Sequence, residues 1–344
     1  MARKTKMNHI SSPELIEQFN EQNKFLISSF LDYLVSVDRA KSTIEQYKND
    51  LNIFFCWNVT DNNNKPFIKI TKREFTKFQG KALTDWEWSP NRLRRVKSVI
   101  SSLSNYIENI LDEEEEFEGY RSVIKKIESP PKTLVREKTV FETEELQKLL
   151  DHLVSEKKYK QACALSLAMC SARRKAELPR FKVSYFDQEN VLFGSLYKTP
   201  EKVKTKGATT KGKMIELYIL KKEFDPYLKL WMDERKEKGI ESIWLFPKTT
   251  NPNEPISTDT LDNWADYFTK VLNKDFYWHS IRHYATTQYV KQNVPPSAIK
   301  EIIGWNSVEM VDTYTDIPAD NMLEKYFDEN GVKADLKPTA ISEM

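Results

Sequence analysis

The chain has 344 residues, of which 40% are hydrophobic and 30% are charged, and its net charge at pH 7 is +2. This length exceeds one average domain, so we expect two domains with real hydrophobic cores and a heavily charged surface. No stretch approaches the roughly 20 apolar residues that a membrane-spanning helix needs, and the basic start lacks the apolar run of a signal peptide. These features predict a cytoplasmic protein, or a nuclear one in a eukaryote, with no membrane partner.

The chain has three cysteines, Cys56, Cys163 and Cys170. The last two lie in an apolar helical stretch, where thiols usually pack as small core residues. An odd number of cysteines without paired spacing supports neither a disulfide framework nor a zinc site.

Basic residues cluster in three runs, at 3–6, 91–97 and 201–213, and an acidic run at 111–120 offsets them in the net charge. Each run alone is typical of a solvated surface. Three of them together indicate a surface that binds phosphate groups.

The first half of the chain has helical periodicity. Residues 1–22 show no pattern and predict a short basic tail or arm, whereas 23–111 carry apolar residues at the spacing of about four helices. Ser42 with Glu45 is a candidate capping box, and Ser89-Pro90 predicts the start of a long helix. The two prolines and mixed charge of 128–140 then predict a linker.

The second half begins with two helices and then changes its period. Three segments rich in aromatic and β-branched residues, at 182–187, 190–199 and 213–220, predict strands. The expected fold class is mainly α with a small antiparallel β-sheet (α+β). The remaining helices are predicted at 222–238, 258–273, 278–292, 296–303, 307–314 and 319–328.

Two of the four histidines lie in "HSIRH", residues 279–283. His279 shares a helical face with Arg282 three residues on, and also with His283. A metal site would need a third ligand nearby, and none is present in the sequence around them. Taken alone, the motif favours a pair of hydrogen-bonded structural histidines.

Two other polar stretches stand out. "SARRKAEL", residues 171–178, places two arginines directly after a buried apolar helix, where a buried guanidinium demands an anionic partner. In "IIGWNSVEMVDTY", Gly304 is the expected C-cap of a short helix, which puts Trp305 on an exposed turn and Tyr314 near the end of the next helix. Singly, such residues are usually packing anchors.

Taken together and in their order along the chain, these polar stretches resemble the sequence boxes of the tyrosine recombinase (phage integrase) family. "SARRKAELPRFKVSYFD" is similar to the family's Thr-Gly-x-Arg-x-x-Glu-Leu box followed by a strand, and Glu177 sets a register in which the arginine is Arg174 and not Arg173. Ser171-Ala172 stands in place of Thr-Gly. The resemblance covers about residues 23–328.

The other two boxes follow at fitting distances. "HSIRH" is similar to the family's His-x-x-Arg-His box, and "IIGWNSVEMVDTYTDI" resembles its Leu-Gly-His box. Tyr314 lies nine residues after Trp305, which stands where the family more often has histidine. A lysine-bearing hairpin, longer than usual, lies between the arginine and histidine boxes. Lys211 matches its lysine best, and Lys213 and Lys206 are alternatives.

The resemblance also implies a domain plan. It implies a helical core-binding (DNA-binding) domain at 23–127, the linker at 128–140 and a catalytic domain at 141–318. The remaining 319–344 would form a C-terminal helix and tail that docks on a neighbouring protomer.

The chemistry that the resemblance implies is cleavage and rejoining of DNA through a 3′-phosphotyrosine, without a metal or nucleotide cofactor. Two arginines would hold the phosphate oxygens, the tyrosine would attack, and the hairpin lysine would protonate the leaving 5′-hydroxyl. The histidine would assist proton transfer and the tryptophan would donate a hydrogen bond to the phosphate. The implied catalytic set is Tyr314, Arg174, Arg282, His279, Lys211, Trp305 and Glu177, with His283 in support.

The implied function is that of a site-specific DNA recombinase acting at the nucleoid. Its implied partner is double-stranded DNA with short inverted core sites, bound by a homo-oligomer, with a dimer per site and a tetramer in synapsis. Two alternatives remain open: a non-catalytic sequence-specific DNA-binding protein of the same fold, and a topoisomerase or hairpin-forming resolvase. The expected phosphate contacts are Arg92, Arg94, Arg95, Lys97, Lys204, Lys206 and Lys213.

Overall fold

The structure is a computed structural model, and the residues it describes form two compact units. The described residues of 1–137 and 206–213 form the first unit, and those of 138–205 and 214–344 form the second. Each unit has its own hydrophobic core. No helix in the described part of the chain is long and apolar enough to cross a membrane. The described residues are 10–131, 139–205, 207, 209 and 212–311, together with the backbone of 327–328 and 331–332.

The first unit is a helical bundle around an aromatic core. Phe54 lies at its centre, fully buried, with its ring centroid 5.1 Å from that of Phe78 and 5.6 Å from that of Trp57. The long last helix begins as predicted, because the Ser89 side chain accepts a hydrogen bond from the backbone N–H of Arg92 at 3.2 Å. The helices are α1 Pro13–Glu17, α2 Glu21–Ser36, α3 Lys41–Asp61, α4 Lys72–Thr84 and α5 Pro90–Ile110.

One helix start in this unit differs from the prediction. The helix α3 begins at Lys41 with Ala40 as its N-cap and no side-chain cap, so Ser42 lies inside the first turn and the predicted capping box is wrong. A reciprocal capping box does form at α4, between Thr71 and Glu74. Both segments have the Ser/Thr-x-x-Glu pattern of a capping box, and tertiary packing decides at which residue each helix begins.

The second unit is built around a buried helix, α7. Its side chains include Cys163 and Cys170, both buried and unbridged as expected, and burial raises the pKa of the Cys170 thiol to about 12. Helices α6, α8 and α10 pack against α7. The helices of this unit are α6 Thr143–Ser155, α7 Tyr159–Ser171, α8 Lys221–Glu237, α9 Thr258–Leu272, α10 Trp278–Lys291 and α11 Pro296–Ile303.

Short strands complete the second unit, which confirms a mainly α fold with small antiparallel sheets. Three strands form an antiparallel sheet in the order β1-β2-β5, with Val191 opposite Tyr197 and Tyr197 opposite Ile219. The other strands pair as β3-β4 and β6-β7. The strands are β1 Val191–Leu192, β2 Leu196–Lys198, β3 Val203–Thr205, β4 Lys213–Ile215, β5 Tyr218–Leu220, β6 Phe327–Asp328 and β7 Gly331–Val332.

Four predicted elements are wrong in part. The predicted strand at 190–199 is the antiparallel pair β1 and β2, and the predicted strand at 213–220 is divided between β4 and β5, which belong to different sheets. The predicted strand at 182–187 is a 3-10 helix, Val183–Phe186, because its aromatic residues fold back and bury Tyr185 in the core. The predicted helix at 319–328 ends in strand β6, while 319–326 lie outside the described residues. The predicted helix at 307–314 is described only as far as Val311.

Candidate active site

The site begins at the turn that ends α7. Its C-cap, Ala172, has φ 52° and ψ 32°, the left-handed conformation that glycine adopts without strain. The turn is fully buried, and its carbonyl oxygen accepts a hydrogen bond from Nη1 of Arg282 at 2.6 Å. The backbone at this turn therefore fixes an arginine of another helix, 110 residues further along the chain.

Beyond the turn, the two neighbouring arginines have opposite environments. Arg173 is 1% exposed and donates hydrogen bonds to two carbonyl oxygens, those of Ser171 at 2.8 Å and Ile302 at 2.9 Å. Arg174 is half-buried, with a third of its side chain exposed. Arg174 is thus the one of the two that reaches the surface of the site.

Arg174 is held by a buried carboxylate. Glu177, 2% exposed, accepts a hydrogen bond from the backbone N–H of Arg174 at 3.1 Å and another from its Nη1 at 3.2 Å. The pair caps the short 3-10 helix Lys175–Arg180. Glu177 therefore fixes both the backbone and the guanidinium of Arg174, and the guanidinium keeps its remaining donors for another acceptor.

Helix α10 supplies the next group of side chains. Arg282 is fully buried, while His279 one turn earlier is exposed. The rings of His279 and His283 meet edge to face, with centroids 5.1 Å apart and planes at 85°. The second histidine therefore limits the orientations of the first.

The surroundings of His279 lower the pKa of its imidazole. Partial burial, followed by electrostatic interactions with His283, Arg282 and Arg174, lowers the pKa of the His279 imidazole to about 4. His279 is therefore neutral at pH 7. The same neighbouring charges that disfavour a proton here favour a bound anion.

The turn after α11 closes the site from another side. Gly304 has φ +74°, as expected of a C-cap glycine, and a Cβ at this position would lie 2.2 Å from Cδ1 of Ile215 on β4. The turn does not expose Trp305, which is 5% exposed and packs with Ala172 and Val311. The predicted exposure is wrong, because the turn folds onto the end of α7.

Trp305 also contacts the buried arginine. The guanidinium carbon of Arg282 lies 5.3 Å from the centroid of the Trp305 ring, within the range of a cation–π interaction. Arg282 is thus fixed by a carbonyl oxygen and by an aromatic face. The structure brings together Arg174, Glu177, His279, Arg282, His283 and Trp305.

Several predicted residues lie elsewhere. Tyr314, Lys211 and Lys206 are outside the described residues, so their roles stay predictions. Lys204 is exposed on β3 and Lys213 is half-buried on β4.

The predicted phosphate contacts on α5 all have partners within the first unit. Arg95 forms a two-point ion pair with the buried carboxylate of Asp50, with N–O distances of 2.9 and 3.1 Å. The guanidinium of Arg92 stacks on Trp88, 4.2 Å from the ring centroid, and Nη1 of Arg94 donates to the Pro130 carbonyl at 2.7 Å. These side chains are oriented by the bundle before any ligand arrives.

Lys97 differs most from its predicted role as a phosphate contact. It is 7% exposed, and its ammonium donates hydrogen bonds to the Ile127 carbonyl and to Ser129 Oγ. Burial lowers its pKa. Lys97 therefore fastens the segment after the bundle onto α5.

Comparison with known proteins decides the family. The model of the phage integrase family matches residues 139–320. The chain belongs to this family. It is 32% identical over 260 residues to the SPbeta prophage-derived recombinase-like protein YomM of Bacillus subtilis (strain 168), across 75% of this chain and 74% of that protein. It is 26% identical over 100 residues to the integrase of Salmonella phage P22, across 26% of each chain.

Solved structures share the fold of this phage integrase family member. The XerH site-specific recombinase bound to palindromic difH substrate has a TM-score of 0.65 at 16% identity, covering 90% of this chain and 97% of that one. A lambda integrase dimer bound to a COC′ core site has a TM-score of 0.62 at 15% identity, covering 85% and 95%. The mainly helical fold of this chain is thus that of tyrosine recombinases.

The sequence pattern missed one residue that acts through its backbone and one that acts through packing. The Ala172 carbonyl, which holds Arg282, and Ile215, which meets Gly304, carry no motif of their own. The one available signal was an alanine at the family's glycine position, which points to a left-handed turn. Arg173 was set aside by the register of the motif, and the structure gives it the cross-link described above.

Proposed function

We propose that this protein is a site-specific DNA recombinase that cleaves and rejoins DNA through a 3′-phosphotyrosine formed by Tyr314. The observation that carries the proposal is the convergence of Arg174, Arg282 and His279 around one positive site in a phage integrase family member. Such a site suits a phosphodiester, whose negative charge must be neutralised before a nucleophile attacks.

Arg282 and Arg174 would bind the two non-bridging oxygens of the phosphodiester. Both guanidiniums are already oriented, one by the Ala172 carbonyl and the other by the carboxylate of Glu177. A planar guanidinium donates two parallel hydrogen bonds to such oxygens and stays charged at any working pH. Because the orientation exists before DNA binds, little reorganisation is needed in the transition state.

In the cleavage step, the phenol oxygen of Tyr314 forms a bond to phosphorus as the bond from phosphorus to the 5′ oxygen breaks. The phenol proton passes to His279, which is neutral at pH 7 and exposed at the site. The leaving 5′ oxygen takes a proton from the hairpin lysine, Lys211. Religation is the reverse attack by a 5′-hydroxyl, and the chain's own groups balance both steps.

The partner would be double-stranded DNA in the cytoplasm, with short inverted core sites, bound by a dimer at each site and a tetramer in synapsis. XerH was solved on a palindromic substrate and lambda integrase as a dimer on a core site, which supports this proposal. Of the predicted phosphate contacts among the described residues, Lys204 and Arg95 are exposed, and Arg95 is already paired with Asp50. We retain Arg92, Arg94 and Arg95 as oriented contacts, and Lys97 has its structural partners instead.

Covalent capture tests this function. The protein is expressed beside the DNA that flanks its gene, denatured in SDS and examined for high-mass, nuclease-sensitive species. We expect an adduct with the wild type and none with Tyr314→Phe. Tyr227→Phe is the matched control, because its hydroxyl accepts a hydrogen bond from the exposed Gln147, and it should give the wild-type yield.

The outcomes separate the alternatives. Sequence-specific binding without an adduct in any variant would contradict recombination and leave a non-catalytic DNA-binding protein. An adduct whose only product is relaxed DNA would leave a topoisomerase. An undiminished adduct in Tyr314→Phe would refute the choice of nucleophile.

A further inference from the structure

Arg173 is a buried charge that the proposed chemistry does not use. It is 1% exposed, and it donates hydrogen bonds to the carbonyl oxygens of Ser171 and Ile302 and not to a carboxylate among the described residues. Among the described residues its Nη1 has no hydrogen-bond partner. A buried guanidinium is costly unless something compensates it, and an apolar side chain of similar volume would usually fill such a space at lower cost.

The compensation comes from two helix ends. Ser171 is the last residue of α7, and Ile302 lies in the last turn of α11, so both carbonyl acceptors are at helix C-termini. Carbonyls in the last turn lack partners within their own helix, and the helix dipole adds partial negative charge there. The carbonyl oxygens of two helix C-termini therefore stabilise the buried Arg173 cation.

The two helix ends that Arg173 joins are those that lead into the site. The end of α7 leads into Ala172, whose carbonyl fixes Arg282. The end of α11 leads into Gly304 and Trp305, whose ring centroid lies 5.3 Å from the guanidinium carbon of the same arginine. A shift of one helix end relative to the other would change the contacts on both sides of Arg282.

We infer that Arg173 is a positioning residue that locks the Trp305 turn to the end of α7 and so sets the geometry of Arg282. This inference rests on the proposed function for its effect on rate, but the lock itself is a property of the fold. The two adjacent arginines then have separate roles: Arg174 faces the substrate, and Arg173 holds the ends of α7 and α11 together.

The test compares Arg173→Met with Arg235→Met. Arg235 is also a buried arginine, 4% exposed, that donates only to carbonyl oxygens, those of Ser242, Trp244 and Leu245. It therefore matches the loss of a buried guanidinium without touching the site. Arg173→Lys keeps the charge but its ammonium cannot span both carbonyls, so it serves as the graded variant.

The first readout does not depend on catalysis. The protein's eight tryptophans are replaced by 5-fluorotryptophan, and the Trp305 fluorine resonance is assigned with Trp305→Phe. We expect Arg173→Met to shift and broaden this resonance, Arg173→Lys to do so less, and Arg235→Met to leave it unchanged. An unchanged Trp305 resonance in both Arg173 variants would overturn the inference.

The second readout is the initial rate of covalent adduct formation per folded protein, on the same flanking DNA. We expect Arg173→Met to lower it by about tenfold to a hundredfold, the range for a misplacement on the ångström scale, with DNA affinity unchanged. If Arg173→Met fails to fold, Arg173→Lys carries the test. An equal loss of rate in Arg235→Met would mean that Arg173→Met acts through a general loss of stability and not through the geometry of Arg282. No adduct in the wild type would reject the proposed function, while the fluorine resonance would still decide the role of Arg173.

Discussion

Gly304 offers a quantitative test of how the Trp305 turn is built. Substituting alanine adds one methyl group at a position with φ +74°, and that methyl would lie 2.2 Å from Cδ1 of Ile215. The left-handed backbone conformation costs an L-residue about 1–2 kcal/mol. Forcing a methyl group into a packed contact costs about 1–3 kcal/mol more. We expect Gly304→Ala to lower the free energy of unfolding by the sum, about 2–5 kcal/mol.

The two contributions are separable. Ile215→Val removes the Cδ1 atom, and the next atom, Cγ1, would lie 3.5 Å from the new methyl, an ordinary contact. In the Ile215→Val background the cost of Gly304→Ala should fall to the backbone share of about 1–2 kcal/mol. The double-mutant cycle should therefore show a favourable coupling of about 1–3 kcal/mol between the two substitutions.

Gly239 is the matched control. It has φ +60°, and a Cβ added there would meet nothing within 4 Å, so Gly239→Ala measures the backbone cost alone. Both glycines belong to the second unit, so urea unfolding followed by circular dichroism reports the same transition. Equal costs for Gly304→Ala and Gly239→Ala, or a cost that Ile215→Val does not reduce, would refute the close contact between β4 and the turn.

Four further predictions concern titratable groups. A bound phosphate should raise the lowered pKa of His279, so DNA affinity at fixed ionic strength should increase as the pH falls from about 6.5 towards 4, and His279→Gln should remove this dependence. Since the folded pKa of His279 lies below its unfolded value, its contribution to stability is complete above pH 6.5 and is lost as the pH falls towards 4; thermal unfolding of the same variant checks the sign. Burial, with Arg235 nearby, lowers the pKa of Lys160 to about 8, so the unfolded chain binds more protons than the folded chain between pH 8 and 10.5. The charged Lys160 therefore destabilises the fold at pH 7. We expect Lys160→Met to raise Tm at pH 7, and the increase should become smaller above pH 8. Lys97→Met should destabilise the first unit by about 1–2 kcal/mol while leaving the salt dependence of DNA binding unchanged, as titrations at several salt concentrations will show.

Local patterns predicted the elements that carry the site. The apolar spacing placed the helix of His279 and Arg282 at 278–292, and the structure has it at Trp278–Lys291. Glycine as a C-cap was likewise predictable, since Gly304 adopts the left-handed conformation that ends α11. Periodicity and caps are local properties, which is why a single sequence contains them.

Burial of the long polar and aromatic side chains was not predictable in the same way. Trp305 is buried because Ala172, more than 100 residues earlier, lies against it, and Lys97 is buried because the chain returns at Ile127 and Ser129. The segment 182–187 has the composition of a strand but finds its partners in the core as a 3-10 helix. In each case a tertiary contact overrides a local preference.

The site obtains its positive charge by the way it holds its arginines. Arg173, Arg174 and Arg282 gather at one helix end. Glu177 hydrogen-bonds Arg174, whereas carbonyl oxygens accept the hydrogen bonds of Arg173 and the Nη1 hydrogen bond of Arg282. A carboxylate beside each guanidinium would orient it equally well but would cancel its charge and weaken its pull on a phosphate. The carbonyl oxygens of Ser171, Ala172 and Ile302 orient two of the three while carrying no net charge. The ends of α7 and α11 thus provide acceptors that fix the geometry and leave the field positive, which is what an anionic transition state requires.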